Sequence, residues 1–279
     1  MSANEKLSPG LHIVATPIGN LGDLSPRAAD ALRNADRILA EDTRVTAKLL
    51  KHVGSRAPMH RFDDHASESD RLRIVESLGT EAIVLVSDAG TPLISDPGYK
   101  LVRAARSAGH QVTAVPGPCA AIAAMSIAGL PTDRFLFLGF LPPKAKARGD
   151  AIAEIAAVRA SLVLYESGPR LADTLGALAD GLGQRDAAVA RELTKLHEEC
   201  VTGPLSELAE RYAETRPKGE IVIVVGPPPE AADASDEDLD AALREALGRL
   251  SPSRAAAEVA ERVGIPRRRA YARALDLSK

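Results

Sequence analysis

Three loops rich in Gly and Pro carry the residues best suited to chemistry. They are Thr16-Pro17-Ile18-Gly19-Asn20, Ser87-Asp88-Ala89-Gly90-Thr91-Pro92 running on to Ser95-Asp96-Pro97-Gly98, and Pro116-Gly117-Pro118-Cys119-Ala120. Each follows a short apolar run and precedes a helical pattern. Glycine lets backbone approach a ligand closely, and proline stiffens the loop. The free amides at the start of the following helix point outward. Acids and bases gather at other strand ends. Glu41-Asp42-Thr43-Arg44 closes an apolar run, and Lys48 shares a helix face with Arg44. Two acids beside a basic face suit a polar or phosphorylated substrate. Capping of the helix by Asp42 or Thr43 is the structural alternative, and Asp96 has the same one.

Other chemistries lack their residues. The first loop has neither Gly-x-Gly-x-x-Gly nor Gly-Lys-Ser/Thr, which argues against a dinucleotide or a nucleoside triphosphate. Asp63-Asp64-His65 has no partner ligands at metal spacing, and Cys119 and Cys200 give neither metal spacing nor a disulfide framework, so no metal is expected. Cys119 has no His or basic partner nearby to make it a nucleophile and reads as a small packed residue.

The elements that must position these loops read as α/β. Apolar runs at 11–15, 37–40, 59–62, 82–86 and 111–115 are expected strands, each leading into a helical pattern. Residues 82–86 are apolar throughout, as in a strand buried on both faces. In open α/β sheets ligands bind beyond the carboxyl ends of the strands, where all three loops fall. Gly129-Leu130-Pro131 breaks the pattern, and runs at 135–140, 161–165, 187–190 and 219–226 begin a second α/β section. Lys144, Lys146 and Arg148 read there as a mobile basic loop. A Pro/Ala/Asp stretch at 227–235 reads as a linker. Beyond it, helices are expected at about 238–250, from 252 to before Gly264, and from 266 through 271. The last two resemble a helix-turn-helix led by Arg267, Arg268 and Arg269, with a small solvated tail as the alternative. The expected organisation is a first α/β domain at 9–130, a second at 131–227, a linker at 228–236 and a helical module at 237–279.

Composition narrows the class. Of 279 residues 45% are hydrophobic but only 3% aromatic, so the core must be aliphatic. A net charge of −3 does not advertise nucleic-acid binding, so any RNA contact must come from local patches. No apolar run reaches the length of a membrane span, and residues 1–9 lack a signal-peptide core. A cytoplasmic protein without membrane contact is expected.

Taken together, Val14-Ala15-Thr16-Pro17-Ile18-Gly19-Asn20-Leu21, Glu41-Asp42-Thr43-Arg44, Ser87-Asp88-Ala89-Gly90-Thr91-Pro92 with Asp96-Pro97-Gly98, Pro116-Gly117-Pro118, Tyr165-Glu166-Ser167, Arg191-Glu192-Leu193-Thr194-Lys195 and Gly219-Glu220-Ile221 strongly resemble the ribosomal RNA small subunit methyltransferase I family. The likeness runs from about residue 10 to 226, and the tail looks like that family's C-terminal helical module. One departure is Gly168-Pro169, where the family pattern has Pro-His. The resemblance implies the tetrapyrrole-methylase fold, with S-adenosylmethionine in a cleft between two α/β domains. It also implies 2′-O-methylation of a cytidine in the decoding region of 16S ribosomal RNA. The partner would be the small ribosomal subunit, and the chain a homodimer, as fold relatives commonly are.

Carried over by motif, the cofactor residues would be Pro17, Ile18, Asp88, Ala89, Thr91, Cys119 and Ala120 from the first domain. Phe137, Tyr165, Ala190 and Glu220 would come from the second, with Asp88 the polar anchor. The ribose hydroxyl is a weak acid, so a base would help. Glu41, Asp42, Asp96, Glu192 and Lys195 are the candidates, each with a cap, salt bridge or solvated surface as its alternative. Asn20, Arg44, Lys48, Lys144, Lys146, Arg267, Arg268 and Arg269 would hold the RNA. Two rivals remain: another methylase of this fold with a small-molecule or protein acceptor, and a non-catalytic RNA-binding assembly factor.

Overall fold

The computed structural model describes residues 7–63, 66–215, 217–229, 236–263, 265 and 267–278. Asp64 and His65, most of the expected linker, Gly264 and Pro266 lie outside the described residues.

Five short strands, β1 (Gly10–Val14), β2 (Arg37–Ala40), β3 (Met59–Arg61), β4 (Ala82–Val86) and β5 (Val112–Val115), pair in the order β3-β2-β4-β1-β5. All four pairings are parallel. β4 is buried at every residue because its alternate side chains enter different cores. Val84 and Val86 pack with α1 (Pro26–Asn34) and α2 (Thr43–Val53) on one face. Ile83 and Leu85 pack with α3 (Glu68–Ser77) and α4 (Tyr99–Ser107) on the other. Ser25 caps α1 through the Ala28 amide with Pro26 at its first position, and Asp42 caps α2 through the Arg44 amide. All the loops that leave the carboxyl ends of the strands therefore lie along one edge.

α5 (Ala120–Ile127) leads out of this sheet. The second sheet is built from β6 (Phe135–Phe140), β7 (Ser161–Ser167), β8 (Asp186–Arg191), β9 (Glu199–Pro204) and β10 (Glu220–Val225), in the order β6-β7-β10-β8-β9. Only β6 and β7 run parallel; the other pairs are antiparallel. Helices α6 (Ala145–Ile155), α7 (Leu171–Leu182) and α8 (Leu205–Glu214) cover one face around Ile152, Leu175 and Leu208. The other face takes α5. Ala121, Ala124 and Met125 pack on Val163, Ala190 and Val222, and Ile18 of the first loop joins them. The sequence boundary near residue 130 therefore separates the sheets along the chain but not in space, and both belong to one compact unit ending at Gly226.

Three expectations need correction. Lys144 and Lys146 do not sit on a mobile loop: Lys144 is the N-terminal flanking residue of α6, Lys146 lies in its first turn, and Arg148 is buried. β9 went unread, and β7 extends two residues past Tyr165 to carry Glu166. The last helix is longer than expected.

The second unit begins at Pro227. It holds α9 (Asp236–Leu247), α10 (Pro252–Val263) and α11 (Arg267–Leu277) around Leu243, Val259, Ile265 and Ala270. Asp240 of α9 receives two hydrogen bonds from the Arg273 guanidinium of α11, at 2.6 and 2.8 Å. Among the described residues no helix is long and apolar enough to cross a membrane.

Candidate functional site

The three Gly/Pro loops meet. Thr16 and Gly90 form an isolated antiparallel bridge, each amide donating to the other's carbonyl at 2.9 and 3.1 Å. Thr91 Oγ1 donates to the Pro118 carbonyl at 2.9 Å. Gly90 has φ +83°, a conformation side chains rarely adopt, and a Cβ there would crowd Ile18 at 3.2 Å. The second loop continues through Leu93 and Ser95, both non-glycine residues at positive φ. Such strain persists only where surrounding structure enforces it, and it clusters at functional sites.

Between these loops and the second sheet lies a cleft of about 840 Å³, counted out to its open mouth. One wall is Ile18, Ala89, Gly90, Thr91, Cys119 and Ala120; the other is Phe140, Tyr165, Leu193, Ile221 and Val222. Ile94, Ser95 and three acids, Asp96, Glu166 and Glu220, complete it. The Tyr165 ring meets Phe137 edge-on at 5.0 Å and Phe140 at 5.8 Å. Its hydroxyl sits against the Cys119 thiol and the Ala121 amide. Burial first, then the neighbouring Cys119 and, more weakly, Asp96, push that hydroxyl well above its ordinary value, so it stays protonated. The Glu166 side chain is fully buried, with its oxygens accepting from the Ser167 amide at 2.8 Å and Thr174 Oγ1 at 2.7 Å. Arg170 lies 3.3 Å away. Glu166 is thus a fixed wall rather than a mobile acid.

Of the eleven expected cofactor residues, Ile18, Ala89, Thr91, Cys119, Ala120, Tyr165 and Glu220 line the cleft. Pro17, Asp88, Phe137 and Ala190 do not. Phe137 and Ala190 stand behind the lining in the shared core. Asp88 is an exposed rim residue whose Oδ1 accepts from the Asp42 amide at 3.0 Å, tying two strand ends together. Gly90, Ser95, Glu166, Leu193 and Ile221 lie in the loops and motifs quoted from the sequence but were not named there as cofactor residues, and Ile94, Phe140 and Val222 lie outside those motifs. Phe140 reaches the cleft because β6 carries an irregularity between Phe137 and Gly139.

Among the five candidate bases, Asp96 alone lines the cleft. Asp42 caps α2, and hydrogen bonds from the Arg44 side chain and backbone hold its carboxyl at about 2. Glu41 flanks it, half-buried. Lys195 Nζ lies 3.1 Å from Glu192 and 3.2 Å from Glu220, and its stem crosses the backbone of Gly19. That cluster closes the space between the first loop and the second sheet. The Lys195 hydrogen bond lowers the Glu192 carboxyl below its ordinary value. Partial burial opposes the Lys195 charge, but the bond to Glu192 and the field of Glu220 outweigh it, and its ammonium is raised. Both are therefore ionised near neutrality.

The expected RNA residues belong to several elements. Asn20 is exposed and caps a short turn through the Gly22 amide. Arg44 and Lys48 stand exposed on α2, with Arg44 paired to Asp42 at 2.6 Å. Lys144 and Lys146 are exposed at the start of α6, and Arg267 and Arg268 at the start of α11. Arg269 is half-buried.

The residues present fit S-adenosylmethionine. Small and aliphatic side chains leave room for a flat base, Glu220 is an acceptor for ammonium or hydroxyl groups, and α5 begins at the cleft without a side-chain cap. Residues 10–209 match the profile of the Tetrapyrrole (Corrin/Porphyrin) Methylases, and residues 233–278 that of the RsmI C-terminal HTH domain. A ribosomal RNA small subunit methyltransferase I from Erythrobacter litoralis (strain HTCC2594) is 55% identical, over 98% of this chain and 97% of its own length. The protein of that name from Escherichia coli O157:H7 is 45% identical, over 95% and 94%. Among solved structures, diphthine synthase aligns at TM-score 0.61 and 15% identity, over 77% of this chain and 90% of its own. Uroporphyrin-III C-methyl transferase from Thermus thermophilus, complexed with S-adenyl homocysteine, aligns at 0.52 and 21%, over 80% and 97%. These two structures show the fold.

Proposed function

Since the chain belongs to the ribosomal RNA small subunit methyltransferase I family of S-adenosylmethionine-dependent methyltransferases, we propose that it methylates the ribose 2′-oxygen of a cytidine in 16S ribosomal RNA of the small subunit. The observation that carries the reading is the convergence of the three loops and β10 on one cleft, with a single candidate base on its lining. Near full-length likeness to relatives named for small-subunit ribosomal RNA supports the acceptor.

S-adenosylmethionine supplies a methyl group already activated on sulfur. What this chain must add is alignment, exclusion of water and a destination for the hydroxyl proton. Ile18, Ala120 and Val222 form dry walls. Tyr165, its hydroxyl held protonated against Cys119 and the Ala121 amide, gives the cleft an aromatic wall. Asp96 takes the ribose proton as its oxygen attacks. Lys195, kept charged by Glu192 and Glu220, closes the cleft between the first loop and the second sheet. Glu41 and Asp42 act from the rim, Asp42 by holding the start of α2 and Arg44. Asp88 fixes the second loop against the α2 start. Asn20, Arg44, Lys48, Lys144, Lys146 and the arginines of α11 meet the RNA.

The test is transfer of labelled methyl groups to small subunits purified from cells lacking this modification, followed by nucleoside analysis. Label recovered as 2′-O-methylcytidine is the expected result. Label on a base, or on a tetrapyrrole or protein acceptor offered in parallel, contradicts the reading.

A further inference from the structure

Helix α4 bears Lys100, Arg103 and Arg106 and no acid, in a chain whose net charge is −3. Lys100 lies in the first turn, where the helix dipole disfavours a cation. Lys100 and Arg103 are three residues apart, as are Arg103 and Arg106, and like charges at that spacing weaken a helix. Among the described residues none of the three has an ion-pair partner. The helix dipole accounts for Arg106 in the last turn but not for Lys100 and Arg103, whereas an anion bound against those two would.

A groove runs between α4 and α3. Arg71, Leu72, Tyr99, Lys100 and Arg103 line it, and Glu68 is its one acid. Tyr99 is 62% exposed and Leu72 54%. In a chain with only four Tyr and four Phe, an exposed ring beside cations needs a reason. Unpaired bases stack on aromatic faces while basic side chains follow the phosphates. A protein partner would favour a patch depleted of charge at its centre, which this groove is not.

Position supports the same partner. Asp96 lines the cleft, and Tyr99 follows it by three residues, so their backbones lie within about 11 Å of each other even if fully extended. We propose that the α3–α4 groove binds a single-stranded segment of the acceptor RNA next to the reacting nucleotide. A base stacks on Tyr99, and phosphates lie against Lys100 and Arg103. This inference rests on the RNA reading above and adds a contact surface to it.

The experiment uses the full chain, unmodified small subunits and a salt series, with S-adenosylhomocysteine calorimetry on every variant as a check of folding. K100E/R103E is expected to bind subunits at least tenfold more weakly than wild type. The slope of log affinity against log salt should fall by about 1.4–1.8, the value for two lost phosphate contacts. K100R/R103K stays near wild type. Y99A loses about 5- to 150-fold and Y99F little, as for loss of one stacked base. Unchanged affinity and slope in K100E/R103E and Y99A, with wild type active on subunits, overturns this inference alone. A wild type that neither binds nor methylates subunits overturns the RNA reading and this inference with it.

Discussion

Among single residues, Asp96 carries the proposed proton transfer. It is the one proposed base with access to the cleft, and its loop is braced by two residues at positive φ. Asp96→Asn should lower kcat by about 10²- to 10⁴-fold, the usual worth of a positioned base, while S-adenosylhomocysteine affinity by calorimetry stays within a few-fold. A variant of near wild-type rate would move the proton elsewhere. Arg44→Ala should raise KM for subunits and leave cofactor affinity alone. The Glu192–Lys195 pair sets a pH signature. Glu192 is lowered from its ordinary 4.5, so its contribution to stability exists above that pH and is lost as pH falls through the lowered value. Lys195 is raised from 10.5, so its contribution is complete below that pH and is lost as pH rises through the raised value. The stability gap between wild type and Glu192→Gln, read by denaturant titration, should be flat between about pH 6 and 9 and should close in acid below that window. A gap independent of pH down to 3 would contradict the pairing.

At the element scale, the parallel sheet was legible because its strands are local signals: apolar runs ended by Gly/Pro loops. Its site loops were legible for the same reason. What stayed hidden depended on partners far along the chain. β9 is six residues, Glu199–Pro204, flanked by acids and closed by Gly-Pro, and only its pairing with β8 makes it a strand. The start of α6 resembles a basic loop because its buried apolar residue, Ile152, comes late and its first residue has no side-chain cap. Phe140 enters the cleft through a strand irregularity that no residue pattern announces. Ile221 and Val222 read as core residues, and they are core and cleft at once. The departure at Gly168-Pro169 also has a structural consequence. Gly168 is buried, and a Cβ there would overlap the Pro217 carbonyl oxygen just before β10. Gly168→Ala should cost about 1–3 kcal/mol in chemical denaturation, as overpacking does. A neutral effect would mean that the 217–219 turn yields freely.

At the scale of the whole molecule, two compact units divide the work. Every residue that lines the cleft, from Ile18 to Val222, belongs to the first. The second has its own core and its own ion-paired Asp240 and Arg273. A chain truncated after Gly226 should therefore keep its affinity for S-adenosylhomocysteine within about twofold, since every residue that lines the cleft remains in it. It should bind subunits more weakly and with a shallower salt slope once the arginines of α11 are gone. Loss of cofactor binding on truncation, in a chain that still unfolds cooperatively, would show that the units depend on each other. The acidic net charge gave no hint of an RNA partner; the basic residues are spread over α2, α4, α6 and α11, so the relevant quantity is local.

The most direct measurement is a crystal structure of the chain with S-adenosylhomocysteine. Ligand density is expected between the start of α5 and β10, touching Ile18, Thr91, Ala120, Tyr165 and Val222, with its sulfur facing Asp96. Density bound anywhere else on the molecule, or a sulfur turned away from Asp96, would contradict the proposed mechanism.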